Sequence, residues 1–269
     1  MATITRTKAG AGLRWIVKRR HGDLLLLDFG LVGMKAGDIL RDGTGKEEAV
    51  FHIFGGSCSA EGDSFSVKGL GEREDVFGGR ASALYIPPHT RYIITALTDL
   101  RAALFEAPAA SGGPVRDIRP GDVTVRETGK GSFRRTVHEV GLSGVDAKAL
   151  MWGETFVPPG NWSGFPPAKH DVEDPPRESK LEELLYFRTD PADGFGLQRT
   201  YTADGYDQVF LVGDSDLVTI PRGFHALVAA PGCALYSLWV LAAFKERRLL
   251  ARPDARYALM LSGKAGHGR

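Results

Sequence analysis

Two histidines and one glutamate in the second half of the chain are spaced like the ligands of a metal centre. His170 ends the segment "PPGNWSGFPPAKHD", whose four prolines and two glycines predict a rigid loop. Glu183 precedes the apolar run "LLYF", and His225 follows the turn "IPRG". Two imidazoles and a carboxylate suffice to hold a divalent metal and leave positions open for water or substrate. On spacing alone, a second interpretation stays open, in which the two histidines are unrelated surface residues.

The other histidines offer no comparable pattern. His21, His52 and His138 lie on or beside strand-like runs with no carboxylate or second histidine at ligand spacing, so we predict structural roles for them. His267 lies in a glycine-rich tail that we expect to be disordered.

Short apolar runs separated by turn residues dominate the chain and predict an all-β fold. Runs such as "DLLLLDFG", "AVFHIFGG", "RYIITALTD" and "ALYSLWVLAA" are four to ten residues long and are mostly bounded by Gly, Pro or Asp. Strands this numerous indicate a β-sandwich or barrel. We interpret "ESKLEELLYF" as a strand and the C-terminal "KERRLLARPDARYALML" as the best place for a short helix.

A weak internal repeat divides the chain into similar halves. Ile86-Pro87 aligns with Ile220-Pro221 at an offset of 134 residues, and the apolar runs that follow stay in phase. Glu48 likewise precedes an apolar run, 135 residues before Glu183. A repeat at half length indicates two copies of one fold, although chance similarity between strand boundaries stays an alternative. His225 aligns with Arg91, so we expect no equivalent metal site in the first copy.

Composition narrows the class of partner. The 269 residues are 43% hydrophobic and 25% charged. The formal net charge of +1 does not indicate binding to nucleic acid or to an anionic membrane surface. The least charged stretch, residues 226–244, is broken by Pro231 and Gly232, which favours two strands over a membrane span. Two isolated cysteines, Cys58 and Cys233, indicate free thiols in a cytoplasmic protein.

Four segments resemble a known family. "GETFVPPGNWSGFPPAKHD", "LEELLYFR", "GFGLQRTY" and "IPRGFHALVAAPG" are similar to the 5-deoxy-glucuronate isomerases of inositol catabolism, relatives of the 5-keto-4-deoxyuronate isomerases in the cupin superfamily. The resemblance implies a bicupin, two β-barrels in tandem, which agrees with the repeat. We assign residues 1–120 to an N-terminal barrel and residues 121–269 to a C-terminal barrel that carries the metal site.

The resemblance also assigns roles to individual residues. It implies His170, Glu183 and His225 as metal ligands, with Glu183 also catalytic, but the family's fourth ligand, a histidine, is Ala168 here. The family's polar residues are further replaced at Gln208, Trp239 and Ala255. Arg199 and Arg222 are candidates to bind a substrate carboxylate, and Gln198 and Tyr201 to bind sugar hydroxyls.

The function implied is the aldose–ketose isomerisation of a small sugar acid, 5-deoxy-glucuronate, assisted by a divalent metal. Zinc is the leading candidate, with manganese or iron as alternatives, and the loss at Ala168 implies weak binding or none. Two other functions stay open: a metal oxygenase with two histidines and one carboxylate, and a non-catalytic bicupin that binds a sugar acid. A homodimer is also expected.

Overall fold

The computed structural model describes residues 1–7 and 10–257, and these residues form antiparallel sheets. In the first part of the chain the strands are β1 (Thr3–Arg6), β2 (Gly12–Val17), β3 (Asp28–Met34), β4 (Ile39–Gly43), β5 (Glu47–Gly55), β6 (Cys58–Gly62), β7 (Phe65–Leu70), β8 (Ser82–Ile86), β9 (Arg91–Ala96), β10 (Leu100–Pro108) and β11 (Arg116–Ile118). In the second part they are β12 (Thr124–Thr128), β13 (Arg135–Glu139), β14 (Leu150–Val157), β15 (Trp162–Lys169), β16 (Leu181–Asp190), β17 (Phe195–Tyr201), β18 (Asp207–Gly213), β19 (Asp216–Ile220), β20 (Phe224–Ala229), β21 (Ala234–Ala243) and β22 (Arg252–Pro253). Short 3₁₀ helices cover Val76–Gly78, Pro120–Asp122 and Gly131–Phe133.

Four sheets form two barrels, as the bicupin prediction requires. The first barrel consists of a six-stranded sheet in the order β11-β8-β5-β10-β3-β2 and a four-stranded sheet in the order β4-β9-β6-β7. The second consists of a seven-stranded sheet, β1-β19-β16-β21-β14-β13-β12, and a five-stranded sheet, β18-β17-β20-β15-β22. The all-β prediction is confirmed.

Each barrel has its own apolar interior, and a third core joins the barrels. Phe51 and Leu104 belong to the first interior, and Leu185 and Phe187 to the second. The joining core lies between the outer faces of the six- and seven-stranded sheets. Its aromatic contacts include Phe29 with Tyr186 and Phe105 with Trp152, each pair with ring centroids 5.9 Å apart. Side chains alternate along each strand, so one face of these sheets fills a barrel and the other fills this joint.

The repeat is visible in the strand register, with one correction. Ala49 pairs with Ile86 in the first barrel, and Glu183 pairs with Ile220 in the second. Since Ile86 and Ile220 correspond, the counterpart of Glu183 is Ala49, and Glu48 corresponds to Glu182. The alignment of Glu48 with Glu183 was therefore one residue out of register. Arg91 is exposed, and it is the next residue, Tyr92, that is buried in the first barrel.

Glu48 and Glu182 form a reciprocal contact between the barrels. Glu48, in the first barrel, accepts hydrogen bonds of 2.7–2.8 Å from the backbone N–H groups of residues 148–150 in the second. Glu182, in the second barrel, accepts hydrogen bonds of 2.6–2.9 Å from the N–H groups of residues 25–27 in the first. Both carboxylates are almost fully buried, which is tolerable because each one accepts three backbone hydrogen bonds, and Glu48 accepts a fourth from the hydroxyl of Tyr85 at 3.0 Å.

Two sequence segments adopt structures other than those expected. "DLLLLDFG" forms a strand only from Asp28, because the backbone of residues 25–27 is used to bind Glu182. The proline-rich segment before His170 is not a loop but mostly strand β15, whose pairing with β20 is interrupted between Ser163 and Ala168. Pro166 and Pro167 fall within this interruption, where no ladder hydrogen bond is lost by their missing N–H groups.

The first strand complicates a strictly sequential division of the chain. β1 pairs with β19 of the second barrel, whereas β11, from the middle of the chain, completes the first barrel at β8. The division at residue 120 stays a prediction.

The expected strands within residues 226–244 are confirmed as parts of β20 and β21. No helix among the described residues is long and apolar enough to cross a membrane. The two cysteines are buried and unpaired. Residues 255–257 begin a helical turn within the segment predicted to be helical; the continuation of that segment beyond residue 257, and His267, lie outside the described residues.

Candidate metal centre

The structure brings His170, Glu183 and His225 together inside the second barrel. One ligand atom from each residue lies within 4.8 Å of the other two. The Nε2 atoms of His170 and His225 are each 3.0 Å from Oε2 of Glu183, and the two rings are 5.2 Å apart. Two imidazole nitrogens and a carboxylate oxygen at these separations fit a divalent metal.

Three elements present the ligands from different directions. His170 directly follows β15 and is anchored by its carbonyl, which accepts a 2.8 Å hydrogen bond from the N–H of Leu181. Glu183 lies near the start of β16 in the seven-stranded sheet, and His225 lies near the start of β20 in the five-stranded sheet. The site therefore spans both sheets of the barrel.

Gly223 orients the ring of His225. Its φ is +104°, and a Cβ at this position would lie only 2.7 Å from the carbonyl oxygen of Tyr201, so glycine is necessary here. The N–H of Gly223 donates to Asp171 at 2.7 Å, and its carbonyl accepts from Nδ1 of His225 at 3.1 Å. With Nδ1 donating, Nε2 is left to bind a metal, which is the usual arrangement of metal-binding histidines.

The charges of the site are mutually supporting. Burial alone would raise the pKa of Glu183, but His225 and His170 lower it to about 2. Burial would lower the pKa of His225, and the Glu183 carboxylate overcomes this and raises it. Glu183 is therefore ionised at neutral pH and available as an anionic ligand.

Position 168 lies beside the ligands. Ala168 is the direct cross-strand partner of His225, and directly opposed residues of antiparallel strands project from the same face of a sheet. The Cβ of Ala168 therefore lies on the inner face with the imidazole of His225. An imidazole at position 168 would share this face, whereas the methyl group offers no ligand atom.

The predicted substrate residues do not all lie near the three ligands. Gln198 is fully buried on β17, on the inner face. Arg199 and Tyr201 alternate with it and lie on the outer face, where Arg199 forms two hydrogen bonds with Asp207 and Tyr201 donates to Asp254 at 2.7 Å. The structure does not bring Arg199 and Tyr201 to the three candidate ligands, and their binding of the substrate stays a prediction.

Arg222 has a different environment. It lies three residues before His225, is exposed, and forms a 3.0 Å ion pair with Asp204. An exposed ion pair is weak, so this guanidinium is free to bind a ligand at the surface near the start of β20.

Thr200 is an inner-face residue that the sequence analysis missed. It is the second cross-strand partner of His225, opposite the side occupied by Ala168, and it is fully buried. The alternation along "GLQRTY" would have paired Thr200 with Gln198, but both alternating sets contain polar residues, so the pattern does not tell which set faces inward.

A second polar cluster lies between the barrels. Glu154 is fully buried and accepts hydrogen bonds from both terminal nitrogens of Arg73, at 2.5 and 3.1 Å, and from Tyr236 at 2.8 Å. His52 and His138 contact the same carboxylate at 3.0 and 3.3 Å. Both histidines therefore have a carboxylate partner, which their sequence spacing did not indicate. Glu154 is remote in sequence from His52, so spacing alone could not predict this contact. Burial would raise the pKa of Glu154, but Arg73 and the histidines hold it well below its usual range.

Comparison with known proteins identifies the family. The KduI/IolB family matches residues 4–260. The chain belongs to the KduI/IolB family.

Curated members of the KduI/IolB family include 5-deoxy-glucuronate isomerases. The isomerase of Geobacillus thermodenitrificans is 36% identical over 216 residues, covering 80% of this chain and 79% of the relative. The isomerase of Bacillus subtilis is 32% identical over 229 residues, covering 84% of each chain. These relatives support an isomerase of this family.

One solved structure supports the same family, and a second supports the fold. An IolB-like protein from Salmonella typhimurium superposes with a TM-score of 0.90 at 29% identity, covering 96% of this chain and 98% of the other. A mutant of Bacillus subtilis oxalate decarboxylase superposes with a TM-score of 0.64 at 13% identity, covering 94% and 78%. At that identity the second similarity shows the fold alone.

The three positions where the resemblance implies replaced polar residues have different environments. Trp239 packs against the interior cores, and its ring approaches Gly153 so closely that a Cβ there would be 2.2 Å away. Gln208 is the cross-strand partner of Thr200, on the same inner face. Ala255 is exposed at the helical turn.

Proposed function

We propose that this protein is a metal-dependent aldose–ketose isomerase that acts on 5-deoxy-glucuronate in inositol catabolism. The observation that carries the proposal is the convergence of His170, Glu183 and His225, whose ligand atoms lie within 4.8 Å of one another in the second barrel. The names of the curated relatives support the substrate.

Zinc is the metal we propose, held by Nε2 of His170, Nε2 of His225 and a carboxylate oxygen of Glu183. Sites with two histidines and one glutamate hold catalytic zinc in other enzymes. When bound, the metal supplies Lewis acidity that polarises the substrate carbonyl.

The chain's own residues position the substrate. Isomerisation moves a proton between adjacent carbons through an enediol, and Gln198 lies on the inner face where it can accept a hydrogen bond from a substrate hydroxyl. Arg222, at the turn before His225, is the candidate for the substrate carboxylate. Glu183, whose carboxylate faces both imidazoles, is the residue proposed to move the proton between the two carbons as well as a metal ligand.

Elemental analysis and an isomerisation assay test this function. We expect about one zinc per chain and conversion of 5-deoxy-glucuronate to its ketose, followed by NMR. Glu183→Gln should lose both metal and activity. Glu61→Gln, at an exposed residue of the first barrel, is the control and should lose neither.

Other outcomes would redirect the assignment. Full activity in protein stripped of metal by a chelator would contradict the metal-dependent mechanism. Bound iron with oxygen uptake and no isomerisation would favour an oxygenase, for which two histidines and one carboxylate are equally suited.

A further inference from the structure

The hydroxyl of Thr200 has no hydrogen-bond partner among the described residues, although it is fully buried next to His225. Leaving a buried hydroxyl unpaired destabilises a folded protein, so such a group needs a reason for its presence. Thr200 adjoins the metal ligands on the inner face of the five-stranded sheet.

Gln198 repeats this pattern two residues earlier on the same strand face. It too is fully buried, and its Oε1 has no partner among the described residues. Its amide nitrogen donates only a long 3.4 Å hydrogen bond to the carbonyl of Arg199. Two unpaired buried polar atoms on the inner face of one strand, beside His225, indicate a polar ligand that would pair with them.

The surrounding surface restricts the chemistry of that ligand. Gln198 lies between Leu227 and Phe210 across the neighbouring strands, and both belong to the apolar wall of the barrel. The inward positions of β17 and β20 carry no lysine or arginine, because Arg199 alternates to the outer face. A carboxylate here would lack a cationic partner from these strands, whereas a neutral hydroxyl group would pair well.

We infer that Thr200 and Gln198 bind hydroxyl groups of the ligand beside the metal ligands, so that a sugar acid enters with its hydroxylated carbons inward and its carboxylate toward the open end. Oε1 of Gln198 can only accept, so the ligand hydroxyl opposite it donates, while the Thr200 hydroxyl does either. The sugar acid in this inference rests on the proposed function.

Thr200→Val tests the inference because valine keeps the shape and removes only the hydroxyl. If the hydroxyl serves a ligand, the variant should be at least as stable as the wild type without ligand, with a melting temperature equal or higher by about 1–3 °C. Its KM for 5-deoxy-glucuronate should rise at least about 10-fold. Thr200→Ser, which retains a hydroxyl, should recover most of the binding.

Thr189→Val is the matched control. Thr189 is also a buried threonine of the second barrel, but its hydroxyl donates a 3.2 Å hydrogen bond to the carbonyl of Ala192. This variant should lower the melting temperature and leave KM unchanged.

The outcomes separate this inference from the proposed function. A loss of stability in Thr200→Val equal to that in Thr189→Val, or an unchanged KM, overturns the inference while the wild-type enzyme remains an isomerase. Absence of turnover in the wild type contradicts the proposed function. In that case the melting temperatures of Thr200→Val and Thr189→Val still test whether the Thr200 hydroxyl serves a ligand.

Discussion

Position 168 holds an alanine where the resembled family has a histidine ligand. Because Ala168 lies on the inner face beside His225, restoring the histidine tests whether this position contributes to metal binding. Ala168→His should tighten zinc binding at least about 10-fold, because even the loss of an orienting group outside the ligand set costs a metal site 10- to 100-fold. Competition with a chelator measures the affinity. Ala203→His, in an exposed turn, adds a histidine elsewhere and should change little. Equal affinities in wild type and Ala168→His would show that position 168 does not face the site.

Glu106 provides a pH-dependent prediction in the first barrel. Burial raises its pKa to about 7, with Asp42, Asp28 and Glu47 adding to the effect and Lys18 opposing it. The folded state thus holds this proton more tightly than the unfolded state, so ionisation destabilises the fold as pH rises from about 4.5 to 7.

Glu106→Gln should remove this dependence. The variant should match the wild type at pH 4.5 and exceed its free energy of unfolding by about 1–2 kcal/mol at pH 8, allowing for solvent screening. Urea denaturation at both pH values measures the difference. A difference that stays constant with pH would mean that Glu106 titrates normally.

At the scale of elements, Glu48 and Glu182 tie each barrel to a loop of the other. Replacing either with glutamine leaves one acceptor oxygen for three backbone N–H groups and removes the charge, so we expect a loss of about 2–3 kcal/mol in unfolding free energy. The loss should be larger for Glu48, since it also accepts a 3.0 Å hydrogen bond from the hydroxyl of Tyr85. Urea unfolding of each variant, compared with the exposed Glu61→Gln, checks this; a loss below about 0.5 kcal/mol would contradict it.

The all-β class, the repeat and the ligand triplet were accessible from the sequence because each depends on local spacing or on similarity to known segments. The orientation of β17 was not, since Gln198 and Thr200 alternate with Arg199 and Tyr201 and both sets are polar. Which set faces inward depends on pairing with β20, and in particular on the position of His225 opposite Thr200. The contact of His52 with Glu154 was missed for a related reason: 102 residues separate them, and only the packing of the barrels brings them together.

At the scale of the whole molecule, the barrels share a core and a buried ion pair. Arg73 comes from the first barrel and Glu154 from the second. Arg73→Met should destabilise the protein by about 3–5 kcal/mol, because it leaves a buried carboxylate without its cation. The same change in a Glu154→Gln background should cost less, since the charge is already gone.

A double-mutant cycle by chemical denaturation measures this coupling. Additive losses would show that the pair contributes nothing jointly. The shared core also predicts one unfolding transition for both barrels, and two separate transitions in calorimetry would contradict that.

The pairing of β1 with β19 has a consequence for how the chain is made. Thr3 and Thr219 are joined by side-chain and backbone hydrogen bonds across 216 residues. At a synthesis rate of about 5–20 residues per second, β1 leaves the ribosome roughly 10–45 s before its partner exists. During that interval the first barrel can close with β11, while β1 stays an unpaired strand. The sheet of the second barrel is therefore completed only after β19 has been made, and it joins strands that lie 216 residues apart in the chain.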